Sequence, residues 1–381
     1  MDILKNKYDV AIIGAGPAGS MACKTVAENN INVLMIERKE KIGEPVNCAE
    51  GINKFLFEET GIKKDKSFIK QKINGTKIYF YDEIYDLTSN QWQGYTLDRR
   101  IFDKYLAKQS EDCGATLIKG SKAVGMKKSG KKWLIKIKSG NKIREIETKI
   151  VIGADGIECN VAKWAEIGKR WTVDEYAKCL QYRIKDAQLK ENDRFHIFFA
   201  EEFPNGYGWV FPKGKSCANV GVGIHPQFNT LDAISYLTSE YQGIDNIINS
   251  MSKGEYTILE KRGGIVPICG PRNCDEIVTD GIMLVGDSAS IVEPITAEGI
   301  EPAILSGIAA GETAVKSIQA DCWDKKTLSE YDKNWRLKKY NGIFLLGEAF
   351  DEGMAIRENF YKVFTNRKIS KSERKKLISN L

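Results

Sequence analysis

Apolar runs of four or five residues recur along the chain, each closed by glycine or an acid. Val10–Ile13 reads as a buried strand, the next segment as a helix, and Asn32–Ile36 as a second buried strand closed by Glu37. Ile150-Val-Ile runs into Gly153-Ala-Asp155-Gly156, and Gly281-Ile-Met-Leu-Val runs into Gly286-Asp287. Short continuous apolar runs of this kind suit parallel strands covered on both faces. Elsewhere the period changes to two. Ala177–Ile184, Arg194–Phe199, Tyr207–Phe211 and Ala218–Ile224 alternate as half-covered antiparallel strands do. After Cys322 the pattern is mainly helical, with Leu328–Tyr340, a run near Ile343–Phe350 and a basic tail. No internal repeat, low-complexity tract or linker interrupts the chain.

The first unit carries chemistry. Gly14-Ala-Gly16-Pro-Ala-Gly19 joins the first strand to its helix, and Glu37 closes the second strand. Strand, glycine turn, helix, strand and acid in about 30 residues fit a dinucleotide. Gly14 permits the turn, Gly16 lets the backbone approach a pyrophosphate, and Gly19 lets the helix pack close to the strand. The helix N-terminus offers free N–H groups to phosphates, and Glu37 would accept hydrogen bonds from a ribose diol. An ordinary βαβ turn would explain the glycines alone, but not the acid in register with both strands.

The order GxGxxG, then Gly153-Ala-Asp155-Gly156, then Gly286-Asp287 with Pro294 and Glu298-Gly299-Ile300 downstream, resembles the FAD-binding fold of the para-hydroxybenzoate hydroxylase superfamily. Asp98-Arg99-Arg100-Ile-Phe102-Asp103 fits that superfamily's arginine before a helix, which implies a place for Arg99 near the flavin or pyrophosphate. Two further motifs narrow the resemblance. Pro204-Asn-Gly-Tyr207-Gly-Trp209-Val-Phe211-Pro212 matches PxxYxWxFP, and Cys48-Ala-Glu-Gly51 matches CxxG. Both are similar to the geranylgeranyl reductase family, especially its archaeal branch that saturates isoprenoid chains of ether lipids. The likeness runs from Tyr8 to about Glu312. One departure is Glu298-Gly299-Ile300, where many relatives carry two glycines before the isoleucine; a side chain there bears on access to the flavin.

The resemblance implies an α/β fold with a Rossmann-like FAD-binding domain of the glutathione reductase and para-hydroxybenzoate hydroxylase type. An antiparallel-sheet substrate domain and a C-terminal helical segment complete it. The FAD domain is expected to be discontinuous, over 1–75, 98–157 and 261–320. Residues 76–97 and 158–260 form the substrate domain, and 321–381 the helical region with its basic tail. Non-covalent FAD would contact Gly14, Gly16, Ala18, Gly19, Glu37, Arg38, Cys48, Arg99, Asp155, Gly156, Gly286, Asp287, Gly299 and Ile300. Tyr207, Trp209 and Phe211 share one face of a strand and would line a tunnel for a prenyl chain. Cys48, Tyr207 and Trp209 are the candidate catalytic residues, with the general acid open among Tyr207, Cys48 and a water. The expected reaction saturates C=C bonds of geranylgeranyl chains of a membrane lipid or its precursor. An aromatic hydroxylase of the flavin monooxygenase type would share every FAD motif. An electron-transfer flavoprotein docking through its tail is the third reading.

Composition agrees with this. The chain has 381 residues, ample for a large core, and an ordinary hydrophobic fraction of 42%. No apolar run is long enough to span a bilayer, and the first strand begins almost at once, so no secretory signal is expected. Nine cysteines without framework spacing suggest reduced thiols in a cytoplasmic protein. Cys269 and Cys274 read as two free thiols in a loop. Only His196 and His225 are present, so no metal site is expected. The alternation around His196 predicts a strand histidine facing solvent or an interface. The net charge of +6 is concentrated in the tail, where Arg367, Lys368, Lys371, Arg374, Lys375 and Lys376 accompany Ile369, Leu377 and Ile378. An amphipathic surface helix there would suit an anionic membrane, giving peripheral contact at the cytoplasmic face, or an acidic electron-donor protein. A solvated helix explains it equally well. Nucleic-acid binding lacks a module. The donor is open among a ferredoxin, a reduced deazaflavin and NAD(P)H.

Overall fold

The computed structural model describes residues 5–168, 171–241, 243–249, 251–272, 274–336, 361 and 369–374. Its first layer is a mainly parallel sheet. The strand Lys7–Ile13 lies at its centre, with Val33–Ile36 and then Thr116–Ile118 on one side, and Lys142–Gly153 and then Ile282–Leu284 on the other. The pairs are parallel and in close register, Ile12 facing both Ile152 and Met35. These strands are the continuous apolar runs of the sequence, and Val10, Ile12, Leu34, Ile150 and Ile152 have no exposed surface. Two antiparallel strands, Ser121–Ser129 and Lys132–Ser139, extend the sheet from Lys142–Gly153.

Helix Pro17–Glu28 covers this sheet, and the long helix Ile300–Gln319 packs on that helix. Their contact is very close. A Cβ on Gly307 would sit 2.2 Å from the carbonyl oxygen of Ala18. Because the chain leaves the central strand toward both sides, a crevice opens at the C-terminal ends of the strands, where such sheets bind ligands.

The second layer has seven strands in the order Thr257–Pro267, Tyr176–Lys185, Ala218–Ile224, Tyr207–Pro212, Phe195–Phe199, Thr76–Phe80 and Glu83–Leu87. All its pairs are antiparallel except Phe195–Phe199 with Thr76–Phe80, which run parallel. The expected antiparallel sheet departs from that pattern only at this pair, whose strands come from distant parts of the chain. One face carries Phe198, Val210, Val220 and Val222 against Ile234, Leu237 and Ile244. The opposite face turns toward the first layer.

Residues 47–51 join the layers. Glu50 is 2% exposed. One carboxylate oxygen accepts the backbone N–H of Arg99 at 2.8 Å, and the other accepts from Asn219 at 2.9 Å and from Lys213, its buried ion-pair partner.

Two expectations are corrected. His196 is fully buried, not solvent-facing; its ring bonds the Tyr79 hydroxyl at 2.8 Å and the Glu191 carbonyl at 3.0 Å, and burial lowers its pKa to about 4. Arg374 does not join an exposed basic face. It pairs with Glu83 at 2.8 Å and lies over the Phe80 ring, 3% exposed. Arg367, Lys368, Lys375, Lys376, Leu377, Ile378 and the run 343–350 lie outside the described residues. So does the part of Leu328–Tyr340 beyond Arg336; before it the chain forms Lys325–Leu328 and Glu330–Arg336.

Glu301, in the first turn of the long helix, has no exposed surface, and neither carboxylate oxygen has a hydrogen-bond partner among the described residues. Burial, then the charge of Glu298, raises its pKa to about 9. The fold therefore favours the neutral acid. That stabilisation is complete below the unfolded carboxyl range and is lost as pH rises toward 9. In Glu301→Gln this loss is absent, so the gap in melting temperature, variant minus wild type, should widen between pH 6 and pH 9. The Glu50–Lys213 pair makes a separate prediction. Lys213→Met should destabilise the protein by about 3–5 kcal/mol, because a carboxylate is left buried alone, and adding Glu50→Gln should restore part of it. Denaturant unfolding of the two variants measures both figures.

Candidate active site

Two hollows gather most of the expected site residues. The smaller lies at the C-terminal ends of the parallel strands and is lined by Gly14, Gly16, Glu37, Arg38, Asp155 and Gly156 among others. Gly14 has φ +109°, and a Cβ there would sit 2.2 Å from the Ala154 carbonyl oxygen. Gly19 packs just as closely, since its Cβ would meet the Gly14 carbonyl oxygen at 1.9 Å. Ala18 likewise faces protein, beside Gly286 and Gly307. Gly16 differs: a Cβ there would meet no protein atom within 4 Å, so its backbone borders open space. Glu37 is buried at the end of its strand, with its oxygens accepting the N–H groups of Ala15 and Lys39, both at 2.8 Å. Each oxygen keeps a further lone pair. Arg38 pairs with Glu158 across the hollow.

Asp155 accepts the N–H of Val161 at 3.0 Å with one oxygen, while the other is buried without a hydrogen-bond partner among the described residues. Burial raises its pKa to about 6. The cradle beside Gly16, the acid on the neighbouring strand end and the buried acceptor of Asp155 fit a dinucleotide. Glu37 would face its ribose and the first turn after Gly16 its phosphates.

The larger hollow, about 270 Å³, lies under the second sheet. Its roof is the alternate positions of successive strands: Ile78, then Phe195, Ile197 and Phe199, then Tyr207, Trp209 and Phe211, then Cys179 and Gln181. Its floor includes Cys48, Gly51, Gly299 and Ile300. Behind the roof Tyr361 packs on Phe199, their rings 5.8 Å apart, and its hydroxyl donates to the Ile295 carbonyl. Thus Cys48 and the three motif aromatics face one cavity. Gly51 is required there, because its Cβ would lie 2.7 Å from the Phe211 ring.

Arg99 and Asp287 are in the lining of neither hollow but neighbour Cys48 and Gly299 on the floor of the larger one. Arg99 makes a two-pronged ion pair with Asp103, at 2.8 and 2.7 Å. Burial opposes its charge, but Asp103 and the neighbouring Cys48 outweigh that and hold its pKa above the ordinary arginine value. Burial pushes the Asp287 carboxyl up, against the lowering effect of Arg99, and its Oδ1 lies 3.6 Å from where a Gly299 Cβ would stand. Gly286 supports this turn, its N–H donating to Ser306.

Cys48 is half-buried, and its sulfur accepts the Glu50 N–H at 3.2 Å. Burial pushes its thiol pKa up, against the pull of Arg99, so it is a protonated thiol and not an activated thiolate. The Tyr207 hydroxyl donates to the Thr296 carbonyl, in the loop held by Glu293. The described cysteines are free, Cys269 among them, and no described cluster of His, Cys, Asp or Glu could hold a metal.

Several residues of the site are missing from the sequence reading. Gln181 links its two motifs, accepting from the Trp209 indole at 2.9 Å and donating to the Cys48 carbonyl at 3.0 Å. Glu50, Lys213 and Asn219 tie the Cys48 turn to the second sheet. Lys213 directly follows the aromatic motif and Glu50 lies inside CxxG, which was the available signal. Nothing in the chain order pairs residue 181 with residue 48.

Comparison with known proteins agrees with this arrangement. The geranylgeranyl reductase catalytic domain matches residues 175–266, and the FAD dependent oxidoreductase family matches residues 9–210. The chain is similar to the digeranylgeranylglycerophospholipid reductase of Methanocaldococcus jannaschii, 36% identical over 88% of this chain and 84% of that one. It is also similar to digeranylgeranylglycerophospholipid reductase 3 of Methanosphaera stadtmanae, 36% identical over 98% of this chain and 94% of that one. Among solved structures it resembles a geranylgeranyl bacteriochlorophyll reductase-like protein of Thermoplasma acidophilum, with a TM-score of 0.80 and 29% identity over 98% and 96% of the two chains. With relatives 36% identical over most of both chains, the chain belongs to the digeranylgeranylglycerophospholipid reductase family of FAD-dependent oxidoreductases.

Proposed function

We propose that the protein saturates C=C bonds in the geranylgeranyl chains of a membrane lipid or lipid precursor. The observation that carries this is the long aromatic and aliphatic cavity that opens beside the dinucleotide crevice and holds Cys48. A small phenolic acid would need convergent polar groups; this roof offers a chain of rings and alkyl groups, which suits a prenyl tail.

The crevice residues Gly14, Gly16, Glu37, Asp155 and Gly156 would hold the ADP portion of FAD, while Arg99, Asp287, Gly299 and Ile300 would flank its flavin. When bound and reduced by the external donor, FAD would supply the hydride for the reduction. The protein has three further tasks. Trp209, Tyr207 and Phe211 exclude water and present ring faces to positive charge that develops on the alkene. Gln181 fixes the Trp209 indole and the Cys48 turn relative to one another. Cys48 keeps its proton on Sγ at neutral pH and faces the cavity, so it is the candidate to protonate the second alkene carbon. The Tyr207 hydroxyl is directed at Thr296, which makes it a poorer donor toward the cavity.

The expected division at 1–75, 98–157 and 261–320 is shifted at its last boundary, because strand Thr257–Pro267 pairs within the second sheet and the third segment of the FAD domain is read from after Pro267. No helix among the described residues is long and apolar enough to cross a membrane. Peripheral contact at the cytoplasmic face is the route to the lipid that this reading carries. The electron donor is external, with a ferredoxin, a reduced deazaflavin and NAD(P)H as the candidates.

The purified protein should be yellow and release one FAD per chain on denaturation. Gly16→Val should emerge without it, because the branched side chain fills the cradle. Chromatography of the released nucleotide decides; FMN or NAD in its place would reject the assignment. With the flavin reduced chemically and oxygen excluded, a geranylgeranyl lipid should gain two mass units per bond. Trp209→Ala should lower kcat/KM about tenfold to a hundredfold, the worth of one buried aromatic surface, while FAD content stays the same. Cys48→Ala should retain FAD and lose turnover. Oxygen-dependent hydroxylation of an aromatic compound, with no lipid saturated, would favour a monooxygenase instead.

A further inference from the structure

The cavity changes character across the width of its roof. At one end, strands Phe195–Phe199 and Thr76–Phe80 supply Phe195, Ile197, Phe199 and Ile78. At the other, the edge strand Thr257–Pro267 supplies Arg262. Five pairing steps of about 4.8 Å separate that edge from Thr76–Phe80, a width of about 24 Å. A long amphiphile lying across these strands would have an apolar end and a cationic end to choose between.

The cationic end holds more than one arginine. Glu260 and Arg262 share a face of the edge strand. Arg183 sits opposite Glu260 on the neighbouring strand, with Nη1 3.6 Å from Oε1. Arg262 Nε lies 3.6 Å from Oε2. Arg100, in the first turn of helix Arg99–Asp112, also pairs with Glu260. Three guanidinium groups therefore surround one carboxylate, which leaves two positive charges uncompensated within the cluster. The Nε atoms of Arg183 and Arg262 are buried and have no hydrogen-bond partner among the described residues. Yet the cluster is open to solvent, the side chains of Arg100 and Arg183 being 23% and 24% exposed. Planar donors with spare N–H groups and net positive charge are suited to a phosphate.

We propose that Arg100, Arg183 and Arg262 form the binding site for the phosphate of the substrate's polar head. The proposal rests on the reading of the substrate as an isoprenoid lipid and deepens it. It gives the lipid a direction: head at the Thr257–Pro267 edge, chain end toward Phe199 and Tyr361. Distance from the head then selects which double bonds reach Cys48. A lipid phosphate is favoured over a free anion because Arg262 also lines the apolar cavity, so a bound phosphate there has a hydrophobic channel next to it.

The test compares two lipids that differ only in the phosphate. Chemically reduced holoenzyme is given a geranylgeranyl diether with a glycerophosphate head and the matching headgroup-free diether. In Arg183→Gln/Arg262→Gln the ratio of kcat/KM, phospholipid over neutral lipid, should fall about tenfold or more, the worth of a charge-assisted contact. Arg262→Lys, which keeps the charge, should recover part of the ratio. FAD content and melting temperature identify a misfolded variant. A second arm needs no turnover: tryptophan fluorescence titrated with short-chain phosphatidic acid and with the matching diacylglycerol should show the same loss of preference. An equal fall for both lipids, or an unchanged ratio, would overturn the site. So would a loss that appears only with a protein electron donor, which would mark these arginines as a donor dock. Inorganic phosphate binding as tightly as the lipid would assign the cluster to a free anion and overturn the proposal too. If the wild type saturates neither lipid, the reductase reading fails, and the fluorescence preference still decides whether the arginines bind phosphate.

Discussion

The site depends on the buried carboxylate of Glu50. It receives an N–H from the start of helix Arg99–Asp112, an ammonium from the end of the Tyr207–Pro212 strand and an amide from the Ala218–Ile224 strand. Its own carbonyl accepts the N–H of Leu97. Those groups belong to both layers of the protein. Neither Glu50 nor Lys213 can be moved into apolar surroundings alone without a large desolvation cost, so the two layers have one low-energy relative position. Cys48 and Gly51, on either side of Glu50, are carried to the cavity floor by the same contacts.

The roof follows from the period of a strand. Alternate residues of five neighbouring strands face the hollow, and those between them face the apolar cluster around Leu237 and Phe198. The sheet is thus covered on one side by its own helical segment and on the other by whatever fills the cavity. Rings dominate the second face because a large rigid side chain gives much contact area for little lost freedom. Trp209 is the one ring of the motif strand whose polar atom is tied, through Gln181, to the floor.

At the crevice the constraint is steric. Gly14 and Gly19 are needed for contact between protein segments, while Gly16 is the glycine whose missing side chain leaves room for something else. One six-residue motif therefore serves two purposes, close packing of helix on strand and close approach of a ligand.

The parallel strands, the dinucleotide crevice and the aromatic stripe were legible because each is local. An apolar run, a glycine spacing and an alternation of rings are properties of a few consecutive residues, and backbone geometry converts them directly into a strand, a turn and a face. What tertiary structure alone decided involves partners far apart in the chain. The tie from Trp209 through Gln181 to Cys48, the Glu50–Lys213 pair and the parallel pairing of Phe195–Phe199 with Thr76–Phe80 all join distant segments. So do the burial of His196 and the capture of Arg374 by Glu83. Apart from the strand pairing, each turns on a polar or charged residue that was read as facing outward or went unread, as Gln181, Glu50, Lys213, His196 and Arg374 show. Its energy depends on a desolvated partner, and the identity of that partner is a property of the folded packing.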